Sequence, residues 1–280
     1  MNLLSPKTIK EVLLEHNVRP SKIMGQNFLI NQKVLEKTIE NAELSKNDTV
    51  LEVGPGIGTL TKELAKKVRK VVAIEKDKKM VEILNETLKD YKNVEIIQGD
   101  VLKFDPKRYT LNSIPYKVVA NIPYYLTSPL IRKFLEEKSP PTDIVLMVQK
   151  EVAQRICAKP PNMSLLAVSV QIYANPKIIS YVKKECFWPS PKVDSAIIKI
   201  TPFQQINKGL TPVNLFFRIV KAGFSHPRKQ LANNLSKILK KDRRVVELWL
   251  SQNNIEPEQR AETLIISDWK NLSRTYQTLS

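Results

Sequence analysis

The sequence predicts an α/β fold in which a mostly parallel sheet of about seven strands is followed by a small helical C-terminal domain. Short apolar, β-branched segments alternate with segments of helical apolar spacing as far as Pro202. Beyond Pro202 the strand signals stop and only helical spacing follows. Because 280 residues exceed the usual size of one domain, we expect two, at residues 1–202 and 203–280.

The predicted elements follow the chain in β-α-β order. Strands are predicted at Thr49–Val53, Lys70–Glu75, Val94–Gln98, Lys117–Ala120, Ile144–Gln149, Ile178–Lys183 and Val193–Thr201. Helices are predicted between them at Leu60–Val68, Lys78–Lys89 and Pro129–Glu137, and after them at Val213–Gly223, Lys229–Leu239, Arg243–Gln252 and Ala261–Leu272. The alternation of strands and helices predicts that the first strands are parallel. The last two strands could form an antiparallel edge of the sheet. A linker is expected near residues 202–211.

Composition excludes several classes of protein. No apolar run is long enough to span a membrane, and the N-terminus lacks the apolar core of a secretory signal. We therefore expect a cytoplasmic protein that does not associate with a membrane. Cys157 and Cys186 are too few for a disulfide framework, and with two histidines in the chain we expect no structural metal.

Positive charge is concentrated in the second half of the chain. The net charge is +17, of which residues 1–100 carry +2, residues 101–200 carry +8 and residues 201–280 carry +7. A basic surface of this size attracts polyanions. The same charge also fits a lysine-rich solvated surface, so charge alone does not decide between the two.

A glycine-rich turn follows the first predicted strand of the sheet. Gly54, Gly56 and Gly58 have the spacing G-x-G-x-G, whereas dinucleotide-binding turns have G-x-G-x-x-G. Glycines let the backbone approach a ligand at the carboxyl end of a strand. The spacing therefore favours S-adenosylmethionine over NAD as the cofactor.

Two acidic residues end the next two strands. Glu75 lies 21 positions after Gly54, where a carboxylate can accept hydrogen bonds from two ribose hydroxyls. Asp100 follows Gly99, where a carboxylate can accept from the amino group of adenine. Together with the glycine turn, these residues indicate an adenosine-type cofactor and a seven-stranded Rossmann-like methyltransferase domain.

After the fourth strand the chain reads Asn121-Ile122-Pro123-Tyr124, which matches the [NDS]-[PIL]-P-[YF] loop of enzymes that methylate exocyclic amines. The Asn121 side-chain oxygen and the Ile122 carbonyl can accept hydrogen bonds from the two N–H groups of an adenine amine and so make its lone pair available to the methyl group. Pro123 fixes the turn, and the Tyr124 ring can stack on an extruded base.

The motifs as a set resemble those of the KsgA-type family of small-subunit rRNA adenine N6,N6-dimethyltransferases, from about residue 19 to the C-terminus. They are Gly25–Leu29, Glu52–Gly56, Asn121–Tyr124, Phe187–Ser195 and Phe224–Leu235. The sequence departs from the family at Met24, where Phe is usual, and at His226-Pro227, which interrupts a basic run.

The resemblance implies an S-adenosylmethionine-dependent, RNA-binding enzyme that dimethylates two adjacent adenosines near the 3′ end of small-subunit rRNA during ribosome biogenesis. Its partners would be that RNA and the small ribosomal subunit, and we expect a monomer. The cofactor residues implied are Asn27, Leu29, Gly54, Gly56, Glu75, Asp100 and Asn121. Phe187 resembles an aromatic residue that contacts the target base from the face opposite Tyr124, although a buried aromatic would fit its position equally well.

Three other functions remain open from the sequence. Resistance-type methyltransferases of large-subunit rRNA share the glycine turn and the Asn-Ile-Pro-Tyr loop. A DNA adenine methyltransferase would need the same chemistry. A nucleic-acid-binding factor could keep the fold without activity, although intact Asn121, Tyr124 and Glu75 argue against that.

The helices of residues 203–280, rich in lysine and arginine, are expected to bind structured RNA.

Overall fold

The structure is a computed structural model that describes residues 1–21, 24–106, 115–204 and 213–276. As far as they are described, the residues form two units. One unit comprises Met1–Ala153 and Pro176–Pro202, and the other comprises Gln154–Asn175 and Phe203–Ser280.

The chain forms a seven-stranded sheet, and all of it except the first two residues of β7 belongs to the first unit. Its strands are β2 (Thr49–Val53), β3 (Lys70–Glu75), β4 (Val94–Gln98), β5 (Tyr116–Asn121), β6 (Asp143–Gln149), β7 (Ala174–Val182) and β9 (Ser195–Pro202). They lie in the order β4-β3-β2-β5-β6-β9-β7. Strands β2 to β6 pair in parallel and β9 runs antiparallel to β6, with Gln149 opposite Ser195. The predicted α/β fold with seven strands is confirmed.

Helices connect the parallel strands and bury their apolar sides. They are α3 (Thr59–Lys67), α4 (Lys78–Thr87) and α5 (Thr127–Glu136), and α6 (Lys150–Ile156) follows β6. Helix α4 begins after Asp77, whose side chain accepts a hydrogen bond from the Lys79 backbone N–H and so caps the first turn. All five residues of β2 are buried, as expected for a strand covered on both faces. The carboxyl ends of β2, β3 and β5 therefore lie side by side.

An N-terminal segment that the sequence analysis did not assign packs beside the sheet. It comprises α1 (Pro6–Glu15), β1 (Phe28–Leu29) and α2 (Gln32–Asn41). Strand β1 pairs with β8 (Phe187–Trp188), which places Phe28 opposite Trp188 and Leu29 opposite Phe187. Two residues on each side are too few to leave a strand pattern in the sequence.

The second unit contains helices α7 (Leu165–Gln171), α8 (Val213–Gly223), α9 (Leu231–Leu239), α10 (Arg243–Gln252) and α11 (Ile266–Thr275). Residues 154–175 belong to this unit, whereas the sequence analysis placed them in the first domain. Part of the expected linker, residues 205–211, lies outside the described residues. Across the helices that are described, none is long and apolar enough to span a lipid bilayer.

Candidate functional site

A glycine turn connects β2 to α3 at the carboxyl edge of the sheet. Gly54, Gly56 and Gly58 all have positive φ values, of 66°, 60° and 90°. L-residues with a side chain rarely adopt such values, so the glycines are required by the backbone. A Cβ on Gly56 would also lie 3.2 Å from the Phe28 ring. The turn is therefore shaped to keep side chains out of the space that it borders.

Glu75 ends β3 and faces the glycine turn. Its Oε2 accepts a hydrogen bond from the Gly56 backbone N–H (3.3 Å), and its Oε1 accepts one from the Asp77 N–H (2.9 Å). Burial raises the pKa of this carboxyl, and the two backbone hydrogen bonds act in the opposite direction. Glu75 is thus fixed in place, with unused lone pairs on both oxygens.

Asp100 follows β4 at the same edge of the sheet. Its Oδ1 accepts from the Leu102 backbone N–H (3.0 Å), and its Oδ2 pairs with Nζ of Lys76 (3.0 Å). The backbone hydrogen bond and the Lys76 ammonium hold the pKa of Asp100 below its usual range. Asp100 is therefore a charged hydrogen-bond acceptor near neutral pH.

Asn121 ends β5 and contacts the N-terminal segment. Its Nδ2 donates a hydrogen bond to the Asn27 carbonyl, 3.3 Å away, and Nδ2 of Asn27 donates to the Gly25 carbonyl, 3.2 Å away. The contact uses the donor end of the Asn121 amide. Among the described residues, the acceptor end, Oδ1, has no hydrogen-bond partner, so it is open to a ligand.

Ile122, Pro123 and Tyr124 follow Asn121 and complete a loop, Asn121–Tyr124, which we name the target-base loop after its predicted role. Ile122 is buried, and Pro123 lies against the glycine turn, since a Cβ on Gly54 would be 3.5 Å from Pro123 Cδ. The Tyr124 hydroxyl hydrogen-bonds to Oγ of Ser195 on β9 (2.7 Å), and burial raises the pKa of that hydroxyl. This contact fixes the ring of Tyr124 beside the end of β5.

Phe187, for which the resemblance implies a contact with the target base, is buried in this structure. Its side chain is 3 % exposed and packs in a core cluster that includes Leu29 and Met147. The pairing of β8 with β1 explains this, because it places Phe187 directly opposite Leu29. In this structure Phe187 is a core residue, and a contact with the target base stays a prediction.

One pocket brings all the predicted cofactor residues together. All seven of them line it: Asn27, Leu29, Gly54, Gly56, Glu75, Asp100 and Asn121. Of the residues proposed for the target base, Asn121 and Pro123 line the pocket, whereas Ile122, Tyr124 and Phe187 do not. The pocket also contains Glu52 and Tyr125, which were not predicted as site residues. Tyr125 is 55 % exposed and lies beside Tyr124 in the chain.

Glu52 is the most unusual of the missed residues. It is only 1 % exposed, and its Oε2 has no hydrogen-bond partner among the described residues. Burial raises its pKa to about 8, and the nearby Glu75 carboxyl acts in the same direction. An acidic residue inside the otherwise apolar strand Thr49–Val53 was the signal in the sequence. In the described part of the chain, no cluster of histidine, cysteine or carboxylate side chains could hold a metal ion.

Comparison with known proteins gives consistent results. The family described as "Ribosomal RNA adenine dimethylase" matches residues 16–278. The chain is 44 % identical over 268 residues to "Ribosomal RNA small subunit methyltransferase A" of Dehalococcoides mccartyi, covering 95 % of this chain and 92 % of that protein. It is 41 % identical to the protein of the same name from Clostridioides difficile, covering 99 % and 97 % of the two chains.

Solved structures show the same fold. A dimethyladenosine transferase from Plasmodium falciparum superposes with a TM-score of 0.74 at 27 % identity, covering 90 % of this chain and 98 % of that one. The 23S rRNA methyltransferase ErmE superposes with a TM-score of 0.72 at 27 % identity, covering 89 % and 98 %. The resemblance found in the motifs is confirmed, and the chain belongs to the ribosomal RNA adenine dimethylase family, whose enzymes use S-adenosylmethionine.

Proposed function

We propose that this protein transfers methyl groups from S-adenosylmethionine to the exocyclic amines of two adjacent adenosines near the 3′ end of small-subunit rRNA. The product is N6,N6-dimethyladenosine, and the reaction belongs to ribosome biogenesis. We also propose that the enzyme works as a monomer in the cytoplasm. The contact between Asn121 and Asn27 is the observation on which the proposed chemistry depends.

The pocket fits the cofactor chemically. S-adenosylmethionine supplies an electrophilic methyl group on a positively charged sulfonium, and it also carries an ammonium group. The unpartnered carboxyl oxygen of Glu52 offers the ammonium group a buried hydrogen-bond acceptor. Glu75 would accept from the ribose hydroxyls and Asp100 from the adenine amine, while the backbone at Gly54 and Gly56 leaves room for the ligand. Asn27 and Leu29 would close the pocket from the N-terminal segment.

Asn121 performs the central step toward the substrate. An adenine amine is a weak nucleophile because its lone pair is delocalised into the ring. A hydrogen-bond acceptor that draws on one amine proton makes that lone pair more available. Since Nδ2 of Asn121 is engaged by the Asn27 carbonyl, Oδ1 is the end of the amide that can accept from the amine. The Ile122 carbonyl would accept a hydrogen bond from the second N–H of the amine.

The ring of Tyr124 would stack on the extruded base, and its hydroxyl contact with Ser195 would keep the ring oriented. After the first transfer the amine still carries one proton. The base needs only to turn within the same site to accept a second methyl group. The site requires no strong base, because the departing proton becomes acidic once the methyl group is attached.

Charge supports an RNA substrate. Residues 101–200 and 201–280 carry net charges of +8 and +7. In the second unit, many basic side chains are exposed: Arg218, Lys221, Arg228, Lys229, Lys237, Lys240, Arg243 and Arg244. Such a surface binds phosphates through counterion release. We propose that it docks the folded rRNA.

The small subunit is favoured over the large one by the comparisons. Identity to the small-subunit methyltransferases reaches 44 %, whereas identity to ErmE, a 23S rRNA methyltransferase, is 27 %. A DNA methyltransferase and an inactive binding factor are less favoured, because the relatives that are 41 to 44 % identical to this chain carry the small-subunit name.

The deciding experiment offers unmethylated small and large ribosomal subunits side by side to the purified protein with S-adenosylmethionine. Each RNA is then digested to nucleosides and analysed by mass spectrometry. We expect dimethyladenosine in the small-subunit RNA, and none from an Asn121→Ala variant purified in parallel. Dimethyladenosine only in the large subunit would identify a resistance-type enzyme. None in either, despite tight RNA binding, would identify an inactive factor.

A further inference from the structure

Gln26 joins the N-terminal segment to the far side of the cofactor pocket. Its Nε2 donates to Oδ2 of Asp77 (3.0 Å), and its Oε1 accepts from the Ser21 backbone N–H (2.8 Å). Its own backbone N–H donates to the Ser21 carbonyl (3.1 Å). Every polar group of the Gln26 side chain therefore has a specific partner, although Gln26 and Asp77 are 51 positions apart.

Asp77 connects this contact to Glu75, the carboxylate that we propose accepts from the ribose hydroxyls. The Asp77 backbone N–H donates to Oε1 of Glu75 (2.9 Å), and its Oδ1 caps α4 through the Lys79 N–H (3.0 Å). The two carboxyl oxygens of Asp77 thus have different roles. Oδ1 stabilises the helix, and Oδ2 holds the Gln26 side chain.

The residues next to Gln26 reach the target-base loop. Gly25 has a φ of +63°, and a Cβ placed on it would lie 3.2 Å from Cβ of Pro123. The Asn27 carbonyl accepts the hydrogen bond from Asn121. Residues 24–27 all line the pocket. This wall is therefore attached to Asp77 at Gln26 and to the target-base loop at Gly25 and Asn27.

We propose that Gln26 is a positioning residue whose hydrogen bond to Asp77 holds the 24–27 wall in place. The bond sets the affinity for the adenosine cofactor, and through the Asn27 carbonyl it sets the orientation of the Asn121 amide. This inference rests on the proposed function, because it assigns the pocket to that cofactor.

The polarity of the contact provides a sharp test. Gln26→Glu places a carboxylate against the Asp77 carboxylate, so the bond is replaced by repulsion. Asp77→Asn keeps the cap on α4 but turns an NH₂ group toward the NH₂ group of Gln26. In the double variant, the new carboxylate at position 26 can accept from both Ser21 and the new amide at position 77. The double variant therefore restores a donor and acceptor pair of the original shape.

Binding of S-adenosylhomocysteine, which does not react, is measured by calorimetry. We expect each single variant to bind roughly tenfold more weakly or worse, and the double variant to bind within about threefold of the unaltered protein. Single-turnover methylation at saturating S-adenosylmethionine should fall and recover in the same order. Gln32→Glu is the matched control, because Gln32 also donates to an acid, Glu36, but on an exposed helix surface. Its affinity should not change.

Amide hydrogen exchange of residues 24–27 without cofactor tests the wall independently. Exchange should be faster in both single variants and should return to normal in the double variant. A double variant that is no better than its parents, or single variants that match the unaltered protein, would overturn the role of Gln26. If the unaltered protein does not bind S-adenosylhomocysteine, the proposed function fails, and the exchange data still decide whether Gln26 holds the wall.

Discussion

The side chain of Asn121 donates to the Asn27 carbonyl, so an N-terminal segment orients the amide at the end of a central strand. We expect Asn121→Ala to lose methyl transfer by roughly a hundredfold or more, because it removes an acceptor needed in the transition state. Cofactor affinity should stay within a few-fold. Single-turnover methylation and calorimetry measure the two effects. A near-normal rate of transfer in the variant would rule out this role for Asn121.

Glu75 gives a prediction about affinity. Removing a buried carboxylate that accepts from two ribose hydroxyls should cost about 1 to 3 kcal/mol of binding free energy, so Glu75→Ala should bind S-adenosylmethionine about 5- to 150-fold more weakly. Calorimetry without RNA checks this. Glu82→Ala, which changes an exposed acid on α4, is the control and should bind normally. Unaltered affinity in Glu75→Ala would sink the ribose assignment.

The strands that position these residues could be predicted accurately. The predicted bounds of Thr49–Val53, Lys70–Glu75 and Val94–Gln98 agree with the structure, because each is a short β-rich run that ends at a turn or at a glycine. The predicted helix Ala261–Leu272 is instead a short 3₁₀ turn followed by a helix at Ile266–Thr275. The Asp268 side chain accepts from the Ile265 N–H and begins a new helix there.

Contacts between distant residues explain what the sequence did not reveal. The strand pair of Phe28–Leu29 with Phe187–Trp188 joins segments about 160 positions apart and is two residues long. That pairing buries Phe187, for which the sequence left open a contact with the target base and a place in the core. The same holds for Gln26 and Asp77, whose partnership depends on the folded N-terminal segment. Local patterns therefore located the pocket, and long-range packing determined which side chains face it.

Glu52 predicts an unusual dependence of stability on pH. Its pKa of about 8 in the folded protein lies above the ordinary value of 4.5, so the folded state keeps a proton that the unfolded chain releases between these values. The free energy of unfolding should therefore fall as pH rises from about 5 to 8, by up to several kcal/mol from this group. Glu52→Gln cannot ionise and should lack that loss.

Urea denaturation without cofactor measures the free energy of unfolding at about pH 5.5, below the raised pKa of Glu52, and at about pH 8, close to it. The Glu52→Gln variant should gain stability relative to the unaltered protein as the pH is raised. Glu36→Gln, at an exposed position, should not. Equal pH dependence in the Glu52 variant and the unaltered protein would show that Glu52 ionises normally.

Gly223 lies at a tightly packed position in the second unit, so a substitution there should change stability. A Cβ at this position would lie 2.5 Å from Cη2 of Trp269, which is fully buried. Gly→Ala in a helix ordinarily stabilises by about 1 kcal/mol, but overpacking costs about 1 to 3 kcal/mol. We expect Gly223→Ala to be destabilised in thermal unfolding. Gly99→Ala, where the added Cβ meets nothing within 4 Å, should not be, and a stabilised Gly223 variant would contradict the packing.

RNA binding should depend steeply on salt, because phosphate contacts release counterions. Each neutralised phosphate contributes about 0.7 to 0.9 to the slope of log affinity against log salt. Arg228 and Lys229 are exposed and have no ion pair among the described residues. If both contact phosphates, the double alanine variant should bind small-subunit rRNA more weakly and lower the slope by roughly 1.4 to 1.8. Arg243→Ala is the control, since Arg243 pairs with Glu247 (2.7 Å), and it should change the slope less.

S-adenosylmethionine binding should respond little to salt in every variant. Filter binding of the RNA between about 50 and 200 mM salt gives the slopes. An unchanged slope in the double variant would place the RNA on another face of the protein.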